Sequence, residues 1–398
     1  MKKVLFVFAI VAIVMCGFAH VAKAQAVKTP GAVEYTAMND DVYSGYNGNF
    51  NSISIFKIEI YIGLESTKSH GLGGGYFGIP RVDIDVSSGG KCVFAADAGG
   101  VSGSGPADIA SFNYPNLVGN FTSNYGGDGY LYGIGLAHAG NVLLAGWSSN
   151  NVLESYAIGS GCTLSKGSSV TISGGGIDGV SIAPNGKWYL TTTADGDYEV
   201  GSITGGVLGA PTAYSSTCAS TYGALPTGTV IDPTSTYGYV DCLGGNAALI
   251  DAFNISSPGT ETENGPLSAL GGTAIYGSNT MGLSTDGKLM YVVGTFSGSV
   301  ETASVSGLNV TDAGCSTGNL SLPGYGSQWI YPGTINALGT SVAARGGAIV
   351  TEAGFGLSGN NSFMITITIG KGGCLATGVQ GTDPNSEFAL SGASYLAP

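Results

Sequence analysis

Val180-Ser181-Ile182-Ala183-Pro184-Asn185-Gly186-Lys187-Trp188-Tyr189-Leu190 reads as two apolar runs joined by a tight turn. Met281-Gly282-Leu283-Ser284-Thr285-Asp286-Gly287-Lys288-Leu289-Met290-Tyr291-Val292 repeats the unit. Asn-Gly and Asp-Gly accept the positive φ of a type I′ turn, whose twist suits the flanking strands, so each stretch predicts a β-hairpin. Weaker copies centre on Gly90, Gly140, Gly238, Gly339 and Gly392, giving successive spacings of 50, 46, 52, 49, 52 and 53 residues. A second landmark, a polar loop and then an alternating strand, recurs at 52–58, 107–112, 151–158, 198–203, 247–255, 299–305 and 362–369.

Repeats of about fifty residues with three or four short strands are what one blade of a β-propeller needs. Gly and Ser punctuate the chain throughout, and a helical period is nowhere sustained. A parallel β-helix is the main rival, but its coils are shorter and lack regular hairpins. The expectation is an all-β, seven-bladed β-propeller over residues 25–398. The ends fit a closed ring. Pro30-Gly31-Ala32-Val33-Glu34-Tyr35-Thr36 reads as a turn and a second strand with no first strand before it. Glu387-Phe388-Ala389-Leu390-Ser391-Gly392 reads as a first strand and its turn. The C-terminal strand is therefore expected to join the N-terminal blade, hiding two edges.

Composition narrows the function. Of 398 residues only 10% are charged, 43% are hydrophobic and 69 are Gly, with a net charge of −13 and a mean hydropathy of +0.26. That is enough apolar material for a core, and disorder is excluded. No Gly-X-Y period runs through the chain, which excludes collagen. The acidic balance leaves no basic stripe for phosphates, so no nucleic-acid partner is expected.

Lys2 and Lys3 precede an apolar run over 4–18, and Ala22-Lys23-Ala24 supplies a small-x-small cleavage site. Residues 1–24 therefore read as a signal peptide cut after Ala24, and the protein is expected to be secreted, periplasmic or extracellular. Met15 stands where a lipobox wants a small residue, which speaks against lipidation of Cys16. Cleavage removes Lys2, Lys3 and Lys23, so 10 basic and 26 acidic groups remain, a net of −16. No later run is long enough to span a membrane. Cys92, Cys162, Cys218, Cys242, Cys315 and Cys374 remain, an even number that predicts disulfides of open connectivity.

The stretch 284–293, followed by Gly298-Ser299-Val300, resembles the YVTN family of propellers, whose blades read roughly S-P-D-G-K-x-x-Y-V-x-N and then G-x-V-S-V. The stretch 183–193 is the second match, and Gly294 stands near where Asn is usual. The wider clan includes 6-phosphogluconolactonase-like propellers. The resemblance implies the fold over most of 30–398, but the same blades serve enzymes and scaffolds. Lactonase-like relatives resembled here use a His, Arg and acidic cluster at the channel mouth, and no His-rich motif of this chain matches it. His70 reads as a loop residue, and His138, in Ala137-His138-Ala139-Gly140, as an exposed turn residue. No G-x-S-x-G elbow or P-loop is present. The acids of Asp195-Gly196-Asp197-Tyr198-Glu199 lack the ligand order of an EF-hand.

Position in the repeat is the better guide. Residues eight or nine before the turn glycine should start the inner strands at the channel mouth: Arg81, Tyr132, Asp178 and Asn279. Tyr331 joins them if Gly339 rather than Gly347 is the last turn, and Thr227 aligns loosely for the fifth repeat. One cation, one carboxylate, two phenols and two small polar groups suit a polar organic ligand. No cofactor and no metal is expected. The sequence favours a secreted binding or structural scaffold whose partner is an extracellular protein, a glycan or a small polar ligand. A lactonase-like hydrolase acting at the channel mouth is the alternative. The acidic balance predicts that particle size, followed by light scattering, grows as pH falls from 7 to the sequence pI of about 4.4. Constant size over that range would refute the charge argument.

Overall fold

The hairpin of the opening stretch forms, but its turn differs from type I′. Ala183 N donates to Trp188 O at 2.9 Å, Gly186 N donates to Ala183 O at 2.7 Å, and only Gly186 has a left-handed φ, +68°. This is a four-residue loop closed by a left-handed residue. The same pair of bonds spans Ser284–Leu289, with Gly287 at φ +67°. It recurs over Asp232–Tyr237, where Ser235 takes φ +60°. The fifth repeat therefore turns at Ser235 and not at Gly238. Asp232 makes a non-glycine turn possible, because its Oδ1 accepts from Thr236 N at 2.6 Å and Tyr237 N at 2.7 Å. Gly238 instead lies within the strand Tyr237–Gly244, where a Cβ would come 2.6 Å from Phe253 Cζ.

The computed structural model describes residues 32–39, 52–59, 63–71, 84–86, 92–97, 107–113, 118–125, 134–147, 151–222, 225–244, 247–264, 281–284, 286–294, 299–316, 332–338, 348–353, 362–369, 375–383 and 388–396. The segment 1–24 and the competing turns at Gly339 and Gly347 lie outside them. The described residues are almost wholly β, with one short α-helix among them, Thr217–Tyr222. Among the described residues the strands form seven antiparallel sheets, six of them begun by strands consecutive in the chain and one that takes its first strand from the C-terminal segment. The recurrent alternating strands are Ser52–Glu59, Ala107–Asn113, Val152–Ile158, Asp197–Thr204, Ala247–Asn254, Ser299–Ser306 and Ser362–Ile369. Phe388–Leu396 pairs with Ala32–Asn39, placing Gly392 opposite Thr36. The first strands of the other sheets are Ile84–Val86, Ile134–Ala139, Ile177–Ile182, Leu225–Ile231, Met281–Leu283 and Pro332–Leu338. Each touches the next, and Phe388–Leu396 touches both Pro332–Leu338 and Ile84–Val86.

The apolar core lies between sheets. One cluster joins Phe94 and Ile109 of one sheet to Leu143, Trp147 and Tyr156 of the next, and three more clusters repeat this along the chain. Tyr156, Tyr189, Tyr198, Tyr239 and Tyr291 are fully buried, so these tyrosines are core residues and not exposed contacts. A buried carboxylate recurs on the third strands. Glu154, Glu199, Asp251 and Glu301 pair with Ala145, Thr191, Val240 and Val292, each the fourth residue of its second strand. All four are at most 1% exposed. Buried charge is tolerated only where it is hydrogen-bonded. Glu199 accepts from Ser173 N at 2.6 Å and from its hydroxyl, and Asp251 accepts from Ser216 Oγ at 2.6 Å. Glu154 accepts from Trp147 Nε1 at 3.2 Å, from the Tyr156 hydroxyl and from Lys166 Nζ.

Cys92 and Cys162, 70 residues apart, form a disulfide that ties the strand Cys92–Asp97 to the helical turn Ser160–Cys162 of the next sheet. Cys242 and Cys315 are disulfide-bonded as well. A link closing so long a loop restricts the unfolded chain. The double substitution Cys92→Ser, Cys162→Ser should lower stability by about 2–4 kcal/mol in chemical denaturation. A change below about 0.5 kcal/mol would show that the inter-sheet packing holds the two sheets without the covalent link.

Candidate functional site

The strand Ile134–Ala139 turns back at Gly140, where φ is +57°. His138 is thus the last strand residue but one, and its partner across the hairpin is Leu143. The expectation of an exposed turn histidine is corrected: the side chain is 18% exposed, and Nδ1 lies 2.7 Å from Oδ2 of Asp85. Asp85 sits on Ile84–Val86, so the contact joins the first strands of two adjacent sheets. Burial pulls the imidazole pKa down, but the charge of Asp85 and its hydrogen bond push it up, and the net direction is above the ordinary 6.5. With a carboxylate on Nδ1, that nitrogen carries the proton, and Nε2 changes with protonation state.

Both side chains line a cavity of about 210 Å³ between first strands. That is about seven times the ~30 Å³ share of a liquid water molecule. Ser181 and Thr229 supply its other polar side chains, and Leu136, Val180, Ile182, Val230, Ile231 and Met281 complete the lining. Ser181 Oγ donates to Thr229 O at 2.8 Å and lies 2.7 Å from Thr229 Oγ1, a second polar link between adjacent sheets. The exposed lining is more polar than apolar, with the polar side chains brought together from adjacent first strands.

The sequence-derived candidates fare unevenly. Asp178 lies on Ile177–Ile182 and is 5% exposed, but it does not line this cavity. Pairing shifts register between Ile177 and Gly179, so Asp178 sits at a bulge. Thr227 is on Leu225–Ile231, eight residues before the true turn at Ser235, and also falls within a register shift. Its side chain, like Arg81, Tyr132, Asn279 and Tyr331, lies outside the described residues. His70 belongs to the strand Gly63–Gly71 rather than to a loop. Asp195 Oδ2 accepts from Gly175 N at 2.9 Å while Glu199 holds Ser173, so both acids bind backbone of the one connection between Leu164–Thr171 and Ile177–Ile182. Among the described residues no cluster of three metal-ligating side chains occurs.

Asp85, His138 and Ser181 share a signal that could have found them. Each is a polar residue between two apolar neighbours in a short first strand: Ile84-Asp85-Val86, Ala137-His138-Ala139 and Val180-Ser181-Ile182.

Solved structures of similar shape include two from Bacteroides, each described as a "putative 6-phosphogluconolactonase". The B. uniformis protein is 13% identical at a TM-score of 0.60, with 92% of this chain and 99% of that chain covered. The B. fragilis protein is 14% identical at a TM-score of 0.60, with 93% and 99% covered. The Cps50 (Swd1) β-propeller domain of Myceliophteria thermophila is 9% identical at a TM-score of 0.54, with 81% and 90% covered. The fold is β-propeller-like. No family model and no curated protein matches the chain. At these identities the likeness carries the fold and no activity.

Removing the charge of Asp85 tests the electrostatics. In Asp85→Asn only burial remains, so the His138 pKa should move from above 6.5 to below it in an NMR titration. The sign for stability follows. A raised folded value means that the contact stabilises fully below pH 6.5 and that this part is lost as pH rises through the folded value. The gap in Tm between wild type and Asp85→Asn should therefore be widest below pH 6.5 and narrow above the folded value. An unchanged imidazole pKa in the variant would overturn this account.

Proposed function

We propose that the protein is an exported, seven-bladed β-propeller that binds a small polar ligand in its central channel, with His138 and Asp85 as the recognition pair. The observation that carries this reading is the cavity between first strands, which brings together one imidazole oriented by one carboxylate and two hydroxyls. The blade count and ring closure draw support from the seven sheets, the chain of contacts among first strands and the pairing of the two chain ends. Export draws support from the signal-like segment 1–24 and from the disulfide, a bond typical of oxidising compartments.

One observation favours a second reading, a hydrolase of sugar-derived lactones. A carboxylate on Nδ1 fixes the tautomer that leaves Nε2 able to take a proton from water, as general-base chemistry requires. The sequence offered no histidine for this role, and the geometry now supplies one. The names of the Bacteroides proteins point the same way, and they are names only.

A thermal-shift panel of sugars, lactones, small organic acids and amines against residues 25–398 separates the two. Binding that is lost in both His138→Gln and Asp85→Asn supports the channel site. Release of acid from a bound lactone, followed at constant pH and abolished in the same variants, makes the protein a hydrolase. Binding that survives both substitutions places the ligand elsewhere and refutes the site.

A further inference from the structure

We infer that one ordered internal water is bound between Glu199 Oε2 and Thr191 Oγ1, in the layer where the sheet begun by Ile177–Ile182 meets the sheet before it. The site is internal and independent of what the cavity binds. Val180, Thr191 and Glu199 are paired across three neighbouring strands, so their side chains share one face. Val180 packs with Leu144 and Leu153 of the preceding sheet, and Glu199 reaches Ser173 in the connection from that sheet. The row therefore looks into the inter-sheet layer.

Two polar atoms in this row are left over. Glu199 and Thr191 are both 0% exposed. Glu199 Oε1 takes the backbone and hydroxyl protons of Ser173, while Oε2 meets no protein donor. Thr191 Oγ1 meets no protein partner either, so the two atoms do not bond each other. Glu154, the corresponding acid of the preceding sheet, differs: Trp147 and Tyr156 donate to its Oε2 and Lys166 to its Oε1. A buried carboxylate oxygen without a donor has lost its hydration with nothing in exchange, and a buried hydroxyl needs a partner as well.

Register partners on adjacent antiparallel strands have Cβ atoms about 4.5–5.5 Å apart. Two hydrogen bonds through one shared oxygen cover such a span. A water there accepts the Thr191 proton and donates one of its own to Glu199 Oε2, which satisfies both groups at once. A cation fits less well. A hard ion such as calcium takes about six to eight oxygens. The row offers two, and among the described residues no cluster of three metal-ligating side chains occurs. A buried water needs only about two to four partners. The arrangement is particular to this interface. The acids at the same register position, Glu154, Asp251 and Glu301, pair with Ala145, Val240 and Val292, which carry no hydroxyl. Val180, the innermost member of the row, lines the cavity, so the water sits on the outer side of the cavity wall.

The test is a high-resolution crystal structure together with oxygen-17 magnetic relaxation dispersion, which counts long-lived internal waters in solution. The expected result is one isolated peak of density at about 2.6–3.2 Å from both Glu199 Oε2 and Thr191 Oγ1. Thr191→Val keeps the shape and removes the hydroxyl, so it should lose that peak and lower the dispersion amplitude by one water. Thr191→Ser should keep both. Circular dichroism of each variant confirms that the fold is retained, and the wild-type density decides alone should the valine variant fail to fold. A direct Thr191–Glu199 hydrogen bond with no density between them would overturn the inference. A peak at about 2.3–2.6 Å from several oxygens would replace the water by a cation and overturn it too. Equal dispersion amplitudes in wild type and Thr191→Val would overturn the placement.

Discussion

Two buried carboxylates, Glu199 and Asp251, tie their sheets to the connections that enter from the sheets before them. A four-stranded antiparallel sheet has two faces to bury, and here the two faces are covered by neighbouring sheets through hydrocarbon, Tyr and Trp. Such contacts are not directional and would let the sheets slide. Glu199 prevents this by accepting both the backbone and the hydroxyl protons of Ser173, which lies in the connection from the preceding sheet. Asp251 accepts the hydroxyl proton of Ser216, in the connection that leads into its own sheet. Each bond fixes where a connection ends relative to the following third strand. The low surrounding dielectric strengthens the bond, and leaving either carboxylate unpaired would be costly.

That register positions the cavity between first strands. Once successive sheets are fixed, their first strands converge, and polar side chains on those strands must find partners on the next strand. Asp85 finds His138, and Ser181 finds Thr229. Both links join adjacent sheets, so the groups that line the cavity also complete the assembly. Side chains held in this way on strands are better positioned than side chains on loops, which is what recognition of a small ligand requires.

The sequence made the architecture legible because turn chemistry and alternation are local. The third strands fall within a residue or two of their expected limits, for instance Ser299–Ser306 for 299–305. The fifth turn was misplaced because the sequence was searched for glycine, while Asp232 lets Ser235 hold the left-handed position. The site was less legible. Counting back from the turn gave Asp178, a buried residue at a bulge beside the cavity wall rather than on it. His138 escaped because its neighbours are Ala and Gly, which read as a turn, and because Asp85 lies 53 residues away. A pairing between sheets leaves no local trace in sequence. A polar residue interrupting an apolar first strand does leave one, and it marks Asp85, His138 and Ser181 together.

The shared architecture also explains why shape alone says so little about activity. In a propeller-like fold the contacts that specify shape lie between sheets and can be made by many apolar combinations, which is how 13% identity coexists with a TM-score of 0.60. The channel wall is under a separate constraint. It is made of short strands, such as Ile84–Val86, that expose only one or two side chains each to the cavity. Chemistry there is decided by a handful of positions that the core does not constrain. In this chain those positions hold one imidazole, one carboxylate and two hydroxyls in contact with each other. These four groups are inter-sheet links and cavity lining at once, so the chemistry of the cavity is set by Asp85, His138, Ser181 and Thr229 rather than by the turn and alternation pattern of the repeat.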